Sequence, residues 1–193
     1  MSAMPALHYP MDAIRKLPTS LPGVFVLEPR VFGDERGFFF ESYNQRAMME
    51  IGIVESFVQD NHSCSIRNVL RGLHYQVKQP QGKLVRVAEG EILDVAVDLR
   101  RSSPTFGRWE AVRLSGDNKR MLWIPPGFAH GFYVTSEKAH VLYKATDFYA
   151  PEHERTLAWN DPDVNIAWGL KGDPIVSAKD QAGAALADAD TFD

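Results

Sequence analysis

Apolar and polar residues alternate along much of the chain between residues 23 and 149, with the period of two that is typical of half-buried β-strands. The clearest case is the segment EILDVAVDL. There Leu93 and Val95 fall on one face and Asp94 on the other. Turn-forming sequences such as FGDERG, QPQG, SGDN and PPG separate the alternating segments. The predicted strands cover residues 23–29, 37–43, 55–62, 68–76, 83–90, 91–99, 108–114, 121–125, 131–136 and 140–149.

One segment within this region has a helical pattern, residues 44–52, and Gly52 is placed to end it. Many short strands with a single helix predict an antiparallel sandwich or a small barrel, whose mouth can hold a ligand. We expect residues 1–193 to form one domain. Its first twenty residues form an extension that packs on the barrel or on a neighbouring subunit. The Ala-rich, acidic C-terminal segment is a short helix or a frayed tail, with residues 181–193 as the tail.

Composition narrows the class of protein. The chain has 193 residues, 45% of them hydrophobic, and its formal net charge of −4 argues against a nucleic-acid-binding protein. Cys64 is the single cysteine, so an intrachain disulfide is impossible and a cytoplasmic enzyme is expected. The N-terminal sequence has no long apolar run, so neither a signal peptide nor a membrane span is predicted.

A basic segment stands out in this acidic chain. Residues 63–88 contain no Asp or Glu but hold five Lys and Arg residues. Such a segment fits a bound anion, because the Arg guanidinium donates two parallel hydrogen bonds to phosphate. A solvated surface balanced by acids on other strands explains the same pattern.

Within that segment, NVLRGLHYQ carries Arg71 and His74 in one predicted strand. Strict alternation directs the two side chains to opposite faces. Either Gly72 marks a β-bulge that redirects one of them, or the two residues serve different environments.

The six histidines could serve either metal binding or proton transfer. A metal site is not expected, because no His-x-His pair is present and Cys64 has no Cys partner. His74 can transfer protons if a carboxylate orients it, and Asp180 is one candidate among many. Tyr143 could act as an acid and Lys83 as an oxyanion stabiliser, although both also fit ordinary strand positions.

Taken together, nine segments in their order along the chain resemble the dTDP-4-dehydrorhamnose 3,5-epimerase family. The match runs from about residue 23 to residue 181, and the segments read FGDERGFFFESY, FVQDNHS, NVLRGLHYQ, QGKLVR, GEILDVAVDLR, SPTFG, WIPPGFAHGFYV, LYKATDFY and SAKD. The resemblance implies an all-β fold, an antiparallel cupin-type jelly roll with a few short helices. It also implies a homodimer that needs no metal or other cofactor and has no nucleic-acid or membrane partner.

The implied reaction inverts C3 and C5 of dTDP-4-dehydro-6-deoxyglucose through enolates, in dTDP-rhamnose synthesis. By resemblance, His74 is the base and Asp180 the carboxylate that orients it. Lys83 stabilises the enolate oxygen, and Tyr143 returns a proton on the opposite face. These four form the expected catalytic set.

The resemblance also implies nine substrate-binding residues. Arg71 matches a diphosphate contact. The strand that carries Arg36 and Glu41 can reach the neighbouring subunit's site. The nine are Arg36, Glu41, Gln59, Asp60, Asn61, Arg71, His130, Glu154 and Lys179.

Three alternatives share features of this sequence. A single-centre epimerase or ketoisomerase of a related dTDP-sugar has the same fold and histidine. A metal-dependent cupin requires a stoichiometric transition metal. A nucleotide-sugar binder without activity binds dTDP but turns nothing over.

Overall fold

The computed structural model describes residues 13–193 of the chain. Within this part, thirteen β-strands and two short α-helices form the fold. The strands are β1 (Ile14–Pro18), β2 (Phe25–Pro29), β3 (Val31–Asp34), β4 (Gly37–Phe40), β5 (Gln59–Ile66), β6 (Leu70–Gln76), β7 (Lys83–Glu89), β8 (Glu91–Asp98), β9 (Trp109–Ser115), β10 (Met121–Ile124), β11 (Phe128–Val134), β12 (Lys138–Ala145) and β13 (Glu154–Thr156). The helices are α1 (Gln45–Glu50) and α2 (Ala178–Gln181).

Two antiparallel sheets pack face to face. One has the strand order β1-β2-β10-β7-β12-β5, and the other β13-β6-β11-β8-β9. Apolar side chains from both inner faces fill the space between them, among them Val85 and Val141 from the first sheet and Ile92 and Phe132 from the second. The predicted antiparallel sandwich is therefore confirmed.

Both outer faces are also partly covered. Helix α1 begins at Asn44, whose side chain accepts hydrogen bonds from the first-turn amides, and it buries Met48 against Leu27 and Met121. The chain beyond β13 covers the second sheet, where Trp168 packs near Val95. This coverage explains why β8 is buried on both faces, although its alternation predicted one solvent-facing side.

Several predicted boundaries shift in the structure. The predicted strand 55–62 lies at Gln59–Ile66. The predicted turn FGDERG is the turn of a separate β3–β4 hairpin, of which β3 was not predicted as a strand. Part of the predicted N-terminal extension is β1, an edge strand of the first sheet, whereas residues 1–12 lie outside the described residues. In the C-terminal segment the helical part is the four-residue α2. Among residues 13–193, no helix is long and apolar enough to span a membrane.

Candidate active site

A β-bulge in β6 decides which way Arg71 and His74 point. His130 of β11 pairs with His74, and Phe132 pairs with Arg71, so three steps along β6 face two steps along β11. The extra residue places Arg71 and His74 on the same face, directed between the sheets. Leu70, Leu73 and Tyr75 share the opposite face and pack under the C-terminal segment.

Glycines make the bulge possible. Gly72 has a φ of +112°, a conformation that disfavours other residues, and a Cβ there would lie 2.6 Å from the Cα of Gly131. Two strands therefore approach each other closely where His74 enters the cavity.

His74 is paired with a carboxylate from the other end of the chain. Its Nε2 lies 2.5 Å from Oδ1 of Asp180, and the aspartate side chain is only 5% exposed. Because an ionised carboxylate can only accept, Nε2 carries the shared proton and Nδ1 is left as the free basic atom. Burial disfavours the charge on Asp180, but hydrogen bonds from His74 and Ser177 outweigh it and lower the pKa of the carboxyl.

Lys83 lies beside this pair. It is 8% exposed, and its Nζ donates to the backbone oxygen of His74 at 3.3 Å. Burial lowers its pKa to about 8, against the opposing effect of Asp94 and Glu154. The ammonium is therefore charged at neutral pH and fixed in a dry environment, as stabilisation of a developing oxyanion requires.

Tyr143 enters from the facing sheet. It lies on β12, paired with Asn61 of β5 and Val85 of β7, whereas His74 belongs to the second sheet. Burial raises the pKa of the Tyr143 phenol, and the negative charge of Glu154 adds to that effect. The phenol thus remains protonated and able to donate at neutral pH.

His74, Lys83 and Tyr143 line one polar cavity of about 350 Å³ between the sheets. Seven of its lining residues are predicted site residues, and four are not. The predicted ones are Gln59, Asn61, His74, Lys83, Tyr143, Glu154 and Lys179, and the others are Tyr75, Gln76, Gln81 and Tyr149.

The unpredicted residues belong to a network at the cavity wall. The Tyr149 hydroxyl donates to Glu154 at 2.8 Å, and Lys179 lies 2.6 Å from the other oxygen of that carboxylate. Burial opposes ionisation of Glu154, but its hydrogen bonds with Lys179 and Tyr149 prevail and lower its pKa. Gln76 accepts from the backbone N–H of Ala150 and so holds the loop beside Tyr149. Glu154 and Lys179 of this network are predicted by the resemblance, and the sequence signal that could have identified Tyr149 is its place at the end of the segment LYKATDFY.

Three further predicted residues, Arg71, His130 and Asp60, do not line this cavity. Arg71 donates to Ser65 of the facing sheet at 2.9 Å. His130 is buried between the sheets. Asp60 lines a second cavity of about 260 Å³ on the face that α1 partly covers.

Arg36 and Glu41 do not line the cavity of His74. Arg36 is in the β3–β4 hairpin, where it is hydrogen-bonded to Asp34 at 2.5 Å. Glu41 accepts from Asn44 beside α1 at 3.1 Å.

Among residues 13–193, no group of three or more His, Cys, Asp or Glu side chains is arranged to hold a metal ion. What the cavity offers is acid–base chemistry: a free imidazole nitrogen, a protonated phenol from the facing sheet and a buried cation that donates to the backbone of the histidine. Such a set can remove a proton next to a carbonyl, stabilise the enolate and return a proton.

Fold and cavity together define a class of protein, a β-sandwich isomerase that moves protons on a small polar ligand. The family model described as dTDP-4-dehydrorhamnose 3,5-epimerase matches residues 18–188. A dTDP-4-dehydrorhamnose 3,5-epimerase of Pseudomonas aeruginosa is 65% identical over 174 residues, which cover 90% of this chain and 96% of the relative. The chain belongs to the dTDP-4-dehydrorhamnose 3,5-epimerase family.

Solved structures agree. The epimerase RmlC of Legionella pneumophila, in complex with dTDP-4-keto-L-rhamnose, has 50% identity and a TM-score of 0.90, with 92% of this chain and 95% of that chain covered. ChmJ, a 3′-monoepimerase of Streptomyces bikiniensis in complex with dTDP-quinovose, has 32% identity and a TM-score of 0.83, with 89% and 87% covered. The predicted cupin-type jelly roll is confirmed, as is the predicted activity, 3,5-epimerisation in dTDP-rhamnose synthesis.

Proposed function

We propose that His74 is the base that removes the proton from each carbon next to the C4 ketone of dTDP-4-dehydro-6-deoxyglucose. The observation that carries this assignment is the hydrogen bond between His74 Nε2 and buried Asp180, which leaves Nδ1 free to accept a proton. Asp180 orients the ring and stabilises the imidazolium that forms. One base can serve both carbons because they flank the same carbonyl.

Tyr143 supplies the proton on the opposite face of the sugar. It projects from the first sheet and His74 from the second, so a ring bound between them has one group on each side. Removal by the imidazole followed by return from the phenol inverts the carbon, whereas return from the imidazole restores it.

Lys83 stabilises the enolate oxygen. Its ammonium is buried beside the base and has only one hydrogen bond to a described residue, the carbonyl of His74. A fixed cation at the ketone oxygen lowers the barrier to both deprotonations, since each produces negative charge on the same atom.

The substrate-binding assignments follow from the same cavity. Arg71 contacts the diphosphate, and the polar residues lining the wall contact the sugar and nucleotide. This wall set consists of Gln59, Asn61, Glu154 and Lys179. His130, which is buried with its ring centroid 6.5 Å from that of Tyr143, is a further substrate contact. Asp60 contributes from the neighbouring cavity.

We further propose that the protein acts as a homodimer and that Arg36 and Glu41 complete the partner's site. The β3–β4 hairpin is a two-stranded sheet separate from the sandwich, and Phe32, Phe38 and Phe39 on it are 51–71% exposed. Exposed apolar residues at this density are typical of an interface. In the dimer a second copy of the chain buries these phenylalanines, and the hairpin of each subunit brings its Arg36 to the active site of the partner.

Mixing two inactive variants tests the shared site. A dimer of one Arg36→Ala and one His74→Ala subunit has one wild-type site if the arginine acts across the interface. Random exchange of subunits should therefore restore about a quarter of wild-type activity. Activity no higher than that of the separate variants, or a monomer by light scattering, would contradict the proposal.

Deuterium labelling tests the reaction itself. In deuterated water the product should carry label at both C3 and C5, because each carbon loses its proton to His74 and receives its new one from Tyr143, whose hydroxyl proton exchanges with solvent. A related 3′-monoepimerase makes a single-centre reaction the second candidate. Label at one carbon alone would favour that candidate and exclude the double inversion.

Residues 1–193 are proposed to act as one catalytic domain. In support, β1 belongs to the first sheet and Asp180, near the C-terminus, completes the pair with His74. Residence in the cytoplasm stays a prediction, to be tested by cell fractionation.

A further inference from the structure

Asp94 is a buried acid that the roles assigned above leave unexplained. It lies on β8, is 0% exposed, and accepts a hydrogen bond from Nε2 of His130 through Oδ1 at 2.7 Å. Its other oxygen, Oδ2, is buried and has no hydrogen-bond partner among residues 13–193. A buried carboxylate oxygen without a partner is costly unless a cation compensates its charge.

A cation able to compensate this charge, Lys83, lies on the facing sheet. Asp94 shares its face of β8 with Ile92 and Ala96, and Lys83 shares its face of β7 with Val85 and Val87. Those four apolar residues fill the space between the sheets, so both charged side chains point into the same interior.

Neither of the other nearby acids is equally available to Lys83. Glu154 is engaged by Lys179 and by the Tyr149 hydroxyl. Asp180 is hydrogen-bonded to His74. The lysine itself donates only to a backbone oxygen, at 3.3 Å, among the described residues.

We propose that Asp94 is a positioning residue for the epimerisation, whose carboxylate keeps Lys83 charged and directed into the cavity. The proposal rests on the assigned role of Lys83 in stabilising the enolate. His130 completes the arrangement because it fixes one oxygen of Asp94 and leaves the other for the ammonium.

The charge of His130 agrees with this arrangement. Burial lowers the pKa of the imidazole, against the opposing effect of Asp94, so the ring is neutral at physiological pH. A neutral ring leaves the negative charge of Asp94 uncompensated and available to Lys83. Burial also lowers the pKa of Lys83, and the negative charge of Asp94 opposes this shift more strongly than that of Glu154.

The test is an NMR titration of the Lys83 side chain in protein labelled at the lysine ε-carbon, with the signal assigned from its loss in Lys83→Arg. In wild-type protein we expect a midpoint of about 8. In Asp94→Asn the amide keeps the hydrogen-bonding shape but removes the charge, so the midpoint should fall by about one pH unit or more. The upper pH limit of kcat should fall with it, whereas dTDP affinity should remain close to that of wild type.

The control is Asp188→Asn, which neutralises an exposed aspartate and should leave the midpoint unchanged. An unchanged midpoint in Asp94→Asn overturns the proposal. If that variant does not fold, the wild-type titration decides, and a midpoint below neutrality overturns it. A lower midpoint with unchanged kcat supports the pairing of Asp94 with Lys83 but refutes the catalytic role of Lys83.

Discussion

Asp180→Asn is the perturbation that examines the base most closely. The amide has the shape of the carboxylate but can present an N–H to Nε2 of His74, which forces the ring proton onto Nδ1 and blocks the basic atom. The lost contact is a charge-assisted hydrogen bond to a side chain that is only 5% exposed. Such bonds contribute about 1.5–3 kcal/mol, so kcat should fall by about 10- to 150-fold.

The assay is the rate at which deuterium from solvent enters C3 and C5, followed by proton NMR, with dTDP affinity measured by calorimetry. Both exchange rates should fall by the same factor because one base serves both carbons, while affinity should stay near wild type. Asp188→Asn is the matched control, since it makes the same chemical change at an exposed position. Wild-type exchange in Asp180→Asn, or loss at one carbon only, would refute the reasoning.

Four further results are expected. Tyr143→Phe should retain exchange but lose most net inversion, and NMR showing complete inversion would exclude the phenol as the acid. Activity should decline as the pH rises through about 8, where Lys83 loses its charge. Activity that stays at its neutral-pH level well above pH 8 would argue against the role of Lys83. Asp98→Asn should lower the free energy of unfolding by about 2 kcal/mol at neutral pH. Burial opposes ionisation of the Asp98 carboxyl, but its hydrogen bonds, led by that from Arg100, lower its folded-state pKa to about 2. The stabilisation is therefore present above the ordinary pKa of an aspartate and lost as the pH falls towards 2. Equal denaturant midpoints for wild type and Asp98→Asn at neutral pH would contradict this. Gly72→Ala should lower Tm because its Cβ meets backbone at 2.6 Å, and an unchanged Tm would show that the bulge can relax.

Local pattern was sufficient to predict most strands. Alternation in residues 91–99 corresponds to β8, and the helical pattern in residues 44–52 corresponds to α1. Alternation did not indicate that β8 is buried on both sides. The acid Asp94 was therefore interpreted as part of a polar face, whereas it points between the sheets, and its partnership with His130 went unpredicted.

Long-range geometry limited what could be predicted of the site. His74 and Asp180 are 106 residues apart, and periodicity cannot pair them. Whether Arg71 and His74 share a face depends on a bulge that Gly72 forms against Gly131, a contact between distant segments. The family resemblance matched the site residues to roles, whereas the structure decided for the β-bulge at Gly72, one of two alternatives that the sequence left open, and revealed the buried acid Asp94.

The most direct test of the account is the deuterium exchange of His74→Ala with dTDP-4-dehydro-6-deoxyglucose, in protein shown by calorimetry to bind dTDP. With the imidazole absent and the other groups intact, no label above the uncatalysed background should enter either C3 or C5. Label entering either carbon at the wild-type rate would show that another group removes that proton, and the single-base account would be wrong.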